Sequence, residues 1–310
     1  MKRFLVLVTV FLVPLLLAGV LMEVLLRSIP NDYEKKKAYL EANSEKVNTL
    51  ILGSSHSFAG LNPLYFSDKA FNASYSSQTL TYDFEILKMY ESKFDDLKVV
   101  VIPISYFTMF SNLEGGVEGW RVKNYIIYCG MKTSRSFSNH TELFSNNLKV
   151  NIKRLKIFYF DGVSNQVSSE LGWGESYKSQ NATNLVESGK KAAIRQTRDN
   201  IHSQKYRDIF IDNLATLNSI TKWCEKRSIK LVLFMPPAFQ TYRSNLNADQ
   251  LNTSIKTAEE IALKHDHCVF INMMNDTAFV SGDYFDGDHL SEIGAKKLSM
   301  KIDEIVIDGN

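Results

Sequence analysis

Short apolar runs recur along this chain of 310 residues, and stretches with helical periodicity separate them. The apolar runs cover residues 49–52, 98–104, 230–234 and 268–271. In residues 81–93, 209–226, 251–265 and from 291 onward, apolar residues return every three or four positions, as they do in amphipathic helices. Strands that alternate with helices usually pair in parallel, so this pattern predicts a three-layer α/β domain around a parallel sheet.

The N-terminal segment is apolar enough to cross a membrane. From Phe4 to Met22 the chain carries no charge, and about 20 such residues span a bilayer core as a helix. A cleaved signal peptide is the alternative, but its apolar core is usually about 7–15 residues long and a small-residue cleavage site follows it. We therefore expect an uncleaved transmembrane anchor at 1–27, a polar spacer at 28–47, and the α/β domain at 48–310 with a large insertion at about 108–204.

Charge and cysteine content exclude several classes of protein. The 36 Lys and Arg residues and 34 Asp and Glu residues give a net charge of +2, with no basic cluster, so nucleic acid is not an expected partner. Cys129, Cys224 and Cys268 lie far apart and form neither a disulfide framework nor a metal motif. His265-Asp266-His267 has no third ligand at a recognisable spacing, and we expect no metal and no cofactor.

A serine follows the first predicted strand in the sequence Gly53-Ser54-Ser55. In open α/β sheets, ligands bind at the carboxyl ends of the strands. A turn of small residues there exposes a hydroxyl and lets backbone N–H groups point at the same spot, which suits a nucleophilic serine. Taken alone, such a turn is also typical of a simple helix cap.

The complementary motif lies near the C-terminus, where Asp286 precedes His289 by three residues on a loop before the last helix. An aspartate in this position can orient the imidazole while the other ring nitrogen reaches a serine, which would complete a Ser-His-Asp triad. Asp288 is a rival for the orienting role, although it immediately precedes His289 in the chain.

The Gly53-Ser54-Ser55 and Asp286-x-x-His289 motifs resemble the first and last blocks of the SGNH (GDSL) hydrolases. Ser54 replaces the family's aspartate, as in membrane-anchored members similar to the teichoic-acid D-alanyl transfer protein, and alginate O-acetyltransferases are further relatives. The resemblance implies an SGNH-hydrolase-like fold with Ser55 as nucleophile, His289 as general base and Asp286 as its partner. The α/β-hydrolase elbow, Gly-x-Ser-x-Gly, is excluded because position 57 is serine.

The two middle blocks of the family are not cleanly present. By resemblance, Ser77 stands where the family places an oxyanion-hole glycine, and Ser105 takes the region of its asparagine. Both are candidate oxyanion donors. His56, Tyr242 and Arg243 are candidate substrate contacts, with packing roles as the alternative.

These observations predict a membrane-anchored serine esterase or O-acyltransferase that acts on acyl esters of cell-envelope glycans through an acyl-enzyme. The expected partners are an acyl donor, a glycan or small ester substrate, the membrane and, by resemblance, a multi-span membrane acyltransferase. The alternatives are a general membrane-anchored esterase or lipase and a catalytically degenerate glycan-binding scaffold.

The expected location is the cytoplasmic membrane, with one crossing and a periplasmic catalytic domain. A count of the basic residues that flank the apolar segment would instead leave the domain in the cytoplasm. We prefer the exported orientation because long domains translocate largely regardless of charge.

Overall fold

The computed structural model describes residues 1–307, so positions 308–310 of the predicted domain lie outside the described residues. The strands are β1 (Thr49–Ile51), β2 (Ala70–Asn72), β3 (Val99–Pro103), β4 (Lys230–Met235) and β5 (Cys268–Asn272). The α-helices are α1 (Lys2–Arg27), α2 (Asp32–Asn43), α3 (Ser55–Gly60), α4 (Leu80–Met89), α5 (Val122–Ile127), α6 (Glu142–Ser145), α7 (Leu148–Tyr159), α8 (Leu185–Gln196), α9 (Gln204–Glu225), α10 (Gln240–Arg243), α11 (Ala248–Lys264) and α12 (Glu292–Ile307).

The chain divides into two compact units. The N-terminal unit combines Met1–Ala38 with Val117–Val167, and the sheet unit combines Tyr39–Gly116 with the chain from Ser168 onward. The residues predicted as one insertion, 108–204, therefore contribute to both units: 117–167 to the first, and the flanking stretches to the second.

The sheet unit contains one parallel sheet with strand order β2-β1-β3-β4-β5. Each neighbouring pair runs in parallel, which confirms the predicted parallel-sheet α/β fold. Strand β2 was not among the predicted strands, because Lys69 and Asn72 leave only Ala70 and Phe71 as an apolar run, whereas Leu52 extends the run at β1. The strand order reverses between β1 and β3, and in such sheets ligands bind at this point, outside the carboxyl ends of the strands.

Helices α3, α9 and α11 contact strands β3, β4 and β5, respectively. The last helix, α12, packs Leu298, Ile302 and Val306 against a fully buried cluster that includes Val99 and Val232. It also contacts α3, whereas α4 contacts α9. The sheet therefore holds the α3 end of β1 and the loop before α12 firmly in place.

The N-terminal unit contains the long apolar helix. Helix α1 has a mean hydropathy of 2.9 in its most apolar window, none of which is buried, and it is long enough to cross a membrane. By length and composition, a membrane anchor and a signal sequence both fit it. Within the same unit, buried Glu142 accepts hydrogen bonds from Lys123, Arg154 and the Tyr128 hydroxyl, so its charge is compensated.

Candidate active site

The turn after β1 brings Ser55 to the carboxyl edge of the sheet. Gly53 adopts a φ of +104°, a left-handed conformation that glycine tolerates best. A Cβ at this position would also lie 2.2 Å from Cδ of Pro103 at the end of β3. Glycine therefore allows β1 to turn sharply beside β3, and α3 then begins at Ser55. The amide of Ser55 lies in the first helical turn, where N–H groups have no partner in the helix.

Ser55, His289 and Asp286 form a continuous hydrogen-bonded chain. Nε2 of His289 lies 2.8 Å from Oγ of Ser55, although 234 positions separate the two residues. On the other side of the ring, Nδ1 lies 3.0 and 3.1 Å from the two carboxylate oxygens of Asp286. The structure therefore brings together the three residues that the sequence motifs singled out, with the imidazole between hydroxyl and carboxylate.

Asp286 also shapes the loop that carries the histidine. Its Oδ1 accepts hydrogen bonds from the amides of Asp288 and His289, at 3.0 and 2.8 Å. This is an Asx-type turn, in which a short carboxylate side chain folds back on the next backbone amides. The same carboxylate thus fixes the backbone and the ring of His289.

Asp288 contributes a second carboxylate on the same ring nitrogen. Its Oδ1 lies 3.4 Å from Nδ1 of His289, while its Oδ2 accepts a 2.6 Å hydrogen bond from Gln196. Burial raises the pKa of Asp288, but the His289 charge outweighs burial and holds that pKa below its usual value. The structure thus places both aspartates that the sequence offered at Nδ1 of His289, with Asp286 closer.

The electrostatics of His289 follow from these two neighbours. Burial alone would lower the pKa of its imidazole. The charge of Asp288 and the hydrogen bonds that the ring donates to both carboxylates outweigh this effect and raise the pKa of His289 well above its usual value. The imidazolium form is therefore strongly stabilised.

His56 and Ser105 form a buried pair beside the triad. Nδ1 of His56 lies 2.6 Å from Oγ of Ser105, and the Ser105 amide donates to Oγ1 of Thr108 at 2.9 Å. Burial and the nearby His289 lower the pKa of His56 to about 4, so this ring is neutral at pH 7. The Ser105 amide donates to Thr108 and is therefore not free to act as an oxyanion donor. The His56 ring packs against the His289 ring at a centroid distance of 5.2 Å.

The turn at Ser77 is shaped as the resemblance implies. Ser77 has a φ of +62°, the left-handed region in which glycine is common. Its side chain is half-buried, and its amide is not engaged by the hydrogen bonds of the described chain. This amide therefore stays available as a donor.

Asp83 connects this turn to the nucleophile turn, a link that sequence reasoning missed. Its buried Oδ1 accepts from the Gly53 amide at 2.8 Å and from Nε2 of Gln78 at 2.6 Å. Burial raises the pKa of Asp83 to about 7, although these hydrogen bonds act in the opposite direction. In the sequence, Asp83 is only an acidic residue in the first turn of a helix, which is common at helix starts.

Of the two candidate substrate contacts Tyr242 and Arg243, the structure buries Tyr242 and leaves Arg243 half-buried. Tyr242 is 2% exposed, and its hydroxyl donates to Oε1 of Gln196, the residue that holds Asp288. Nη1 of Arg243 donates to Oδ1 of Asn275 at 2.5 Å. Tyr242 thus supports the site from behind through Gln196, and a buried phenol has no surface to offer a substrate.

One group of side chains among the described residues has metal-ligand spacing. The ligand atoms of His56, Asp288 and His289 lie within 4.8 Å of one another. Both ring nitrogens of His289 already contact Asp286 and Ser55. A metal ion held here would have to break those hydrogen bonds, so the arrangement suits proton transfer better than ligation.

No protein-family model matches this chain, and no curated protein is significantly similar to it. Three solved structures align over most of its length. The first, from Bacteroides fragilis and provisionally described as an acylhydrolase, is 11% identical, with a TM-score of 0.42 and coverage of 87% of this chain and 95% of its own. The second, from Streptococcus pneumoniae and provisionally described as a platelet activating factor, is 11% identical, with a TM-score of 0.43 and coverage of 96% and 99%.

The third is a GDSL-like lipase from Bacteroides thetaiotaomicron, 13% identical, with a TM-score of 0.40 and coverage of 90% of this chain and 100% of its own. With identities this low, the chemistry of the chain has to be inferred from its own site.

Proposed function

We propose that this protein is a membrane-anchored serine esterase or O-acyltransferase. The observation that carries the proposal is the contact of 2.8 Å between Ser55 Oγ and His289 Nε2, with Asp286 on the opposite nitrogen. A hydroxyl is a weak nucleophile at its ordinary pKa and needs an adjacent base that a third group orients. This arrangement supplies both at the carboxyl edge of the sheet.

In the proposed reaction, Ser55 Oγ attacks the carbonyl carbon of an acyl ester while Nε2 of His289 takes the hydroxyl proton. Asp286 and Asp288 stabilise the imidazolium that forms. The amides of Ser55 and Ser77 donate to the oxyanion of the tetrahedral intermediate, a contribution worth about 3–4 kcal/mol for one such donor in other enzymes. His289 then protonates the leaving alcohol, which leaves an acyl-Ser55 enzyme.

The acyl group leaves in a second, symmetrical step. Water or a sugar hydroxyl loses its proton to His289 and attacks the acyl carbonyl, and Ser55 recovers its hydrogen. Water as acceptor gives an esterase, and a glycan hydroxyl gives an O-acyltransferase. An apolar helix at the N-terminus favours acceptors at a membrane, so we assign the substrates to acyl esters of cell-envelope glycans. By the family resemblance, the domain would face the periplasm, with a multi-span acyltransferase as donor.

A serine-directed fluorophosphonate tests the proposal on the full-length protein in detergent. We expect one adduct, located at Ser55 by peptide mass spectrometry, because the half-buried Ser55 hydroxyl contacts His289, whereas the Ser105 hydroxyl, which contacts His56, is fully buried. Ser55→Ala and His289→Ala should each abolish labelling. Ser57→Ala is the matched control, since its buried hydroxyl has no hydrogen-bond partner in the structure and its loss should leave the adduct unchanged.

A folded protein that gives no adduct at Ser55 would contradict acyl chemistry and support the non-catalytic scaffold instead. If the adduct forms, the products formed from an acetyl ester distinguish an esterase from an O-acyltransferase. Hydrolysis that does not respond to added oligosaccharide supports the esterase, and acetylated oligosaccharide as product supports the transferase.

A further inference from the structure

Residues 117–167 of the N-terminal unit, which we call the interfacial segment, carry an excess of positive charge that is spread along the segment and forms no single basic run. It contains eight Lys and Arg residues and three Asp and Glu residues, so its net charge is 8 − 3 = +5. The whole chain carries only +2, and this segment is therefore an exception within it. An excess of positive charge on one segment favours a partner that carries negative groups.

The interfacial segment is held against the C-terminal end of helix α1. Glu23 of α1 accepts hydrogen bonds from the amides of Glu142 and Leu143, at 3.0 and 2.7 Å. Arg27 donates to the His140 carbonyl at 2.8 Å. A third contact, at 3.0 Å, joins the Tyr159 hydroxyl to the carbonyl of residue 25. These contacts join the start of α6 and the end of α7 to the last turns of the apolar helix.

If α1 crosses a bilayer, these contacts determine the depth of the interfacial segment relative to the membrane. Helix α1 has 26 residues and therefore rises about 39 Å, whereas the hydrocarbon core is about 30 Å thick. The last turns of α1, with Glu23 and Arg27, then leave the hydrocarbon and enter the headgroup region. The interfacial segment contacts these turns and lies at the same level.

Helix α7 has the composition of a helix that lies in a membrane interface. Leu148, Ile152 and Tyr159 share one face through steps of four and seven residues, and each is exposed, at 58, 54 and 44%. Three exposed lysines, at positions 149, 153 and 156, flank this apolar face. Long basic side chains beside an apolar stripe can bury their stems and extend their charges to headgroup phosphates.

Exposed aromatic rings extend the apolar surface beyond α7. Phe160 is 84% exposed, and Phe137 and Phe144 are 68 and 62% exposed. The rings of Phe137 and Phe144 contact each other at a centroid distance of 5.6 Å, so they form one patch. Large rings left in water next to a membrane helix are costly, and a bilayer would cover them.

We propose that the interfacial segment inserts these side chains into the headgroup–acyl boundary of the bilayer that α1 crosses. The occupant of the surface is the lipid bilayer, because apolar rings and lysines occur together at the level where α1 leaves the hydrocarbon. This inference rests on the anchor that the proposed function assigns to α1, and it is independent of the chemistry at Ser55.

Site-directed spin labelling of the full-length protein in phospholipid nanodiscs tests this inference. Single cysteines replace Phe144 and Phe160, and the three native cysteines are buried and should not react. Leu263→Cys is the matched control, because Leu263 of α11 is 85% exposed, as Phe160 is. Leu12→Cys, within α1, is the reference for the hydrocarbon.

We expect the ratio of oxygen to nickel-chelate accessibility to be severalfold higher at 144 and 160 than at 263, and to approach that at 12. Values at 144 and 160 equal to that at 263 would overturn the inference while the label at 12 still shows the anchor. Exclusion of both reagents at 144 and 160 would indicate a protein partner and would also overturn it. If the label at position 12 is exposed to water, or if the mature protein lacks residues 1–27 through cleavage, the proposed membrane anchor is wrong.

Discussion

His289 has two carboxylates at Nδ1 and the Ser55 hydroxyl at Nε2, and in the proposed reaction its protonation state decides when the site can act. A general base must be neutral before it can accept a proton. The charge of Asp288 and the hydrogen bond to Asp286 outweigh burial and raise the pKa of His289 well above its usual value, so the neutral form is reached at higher pH than in an ordinary imidazole. The rate of acylation should therefore increase with pH above 7 and level off once His289 is deprotonated.

Replacing Asp288 with asparagine should shift the dependence of the acylation rate on pH to lower pH. The change removes a negative charge 3.4 Å from Nδ1, which lowers the pKa of His289, so we expect the midpoint of kcat/KM against pH to fall by about one unit or more. Rates of fluorophosphonate labelling between pH 6 and 10 would measure it. An unchanged midpoint with a lower plateau would show that Asp288 acts on packing alone.

Asp286→Asn is the comparison for that variant. It too removes a charge, but it also removes the closest acceptor of the ring proton, at 3.0 Å. We expect its plateau to fall far more than that of Asp288→Asn, because the imidazole would lose its orientation.

The turn between β1 and α3 is the element on which the site depends. Three residues separate the last strand position, Ile51, from the start of α3, and the chain reverses there through the left-handed Gly53. The Asp83 carboxylate accepts a hydrogen bond from the Gly53 amide of this turn. Pro103 of the neighbouring strand packs against the turn at Gly53 and leaves no space for a Cβ there. Any side chain at position 53 would push the turn away from β3, and Ser55 with it.

Gly53→Ala should therefore damage both activity and stability. We expect the labelling rate at Ser55 to fall by about 100-fold, as displacements near 1 Å can cause, and the free energy of unfolding to fall by about 1–3 kcal/mol. Labelling kinetics and urea unfolding measure the two effects.

Gly130→Ala separates strain from steric contact. Gly130 has a φ of +78°, but a Cβ there would meet no atom within 4 Å. The Gly130→Ala variant should have a lower free energy of unfolding than wild type and an unchanged rate of labelling at Ser55. Equal rates for wild type and Gly53→Ala would contradict the role of the turn.

For the whole molecule, buried titratable groups determine how stability depends on pH. The pKa of Asp83 is raised to about 7, so between pH 4 and 7 the folded state holds a proton that the unfolded state has lost, and stability falls as pH rises. The pKa of His56 is lowered to about 4, so its contribution has the opposite sign between pH 4 and 6.5. The raised pKa of His289 gives stability that is complete below 6.5 and is lost at higher pH.

The Asp83→Asn variant should show how much the protonation of Asp83 contributes to the pH dependence of stability. Asparagine keeps an acceptor for the Gly53 amide and the Gln78 side chain but cannot ionise. We expect the variant to gain stability relative to wild type as pH rises from 4 to 7, by up to about 4 kcal/mol, with no further gain above pH 7. Urea unfolding at several pH values, in one detergent, measures this difference, and a difference independent of pH would show that Asp83 ionises normally in the folded protein.

Local patterns were enough for several parts of this protein. The apolar runs predicted β1, β3, β4 and β5, because buried parallel strands are apolar on both faces. The spacing in Asp286-x-x-His289 predicted the ring contact, since one short turn brings these residues together whatever surrounds them. The partnership with Ser55 followed from two such motifs at the same edge of a predicted sheet.

Other features depended on which distant segments pack together. Asp83 links two turns, Gln196 connects Tyr242 to Asp288, and Thr108 occupies the amide of Ser105. Each of these hydrogen bonds joins residues that are distant in sequence or that meet through the conformation of a loop. Neither hydrophobic periodicity nor motif spacing predicts which of these side chains come into contact. The sequence by itself determined four of the five strands and the three residues of the Ser55–His289–Asp286 chain. The tertiary structure decided the burial, the partners and hence the pKa values around them, because burial and charge proximity arise only when separate elements are packed.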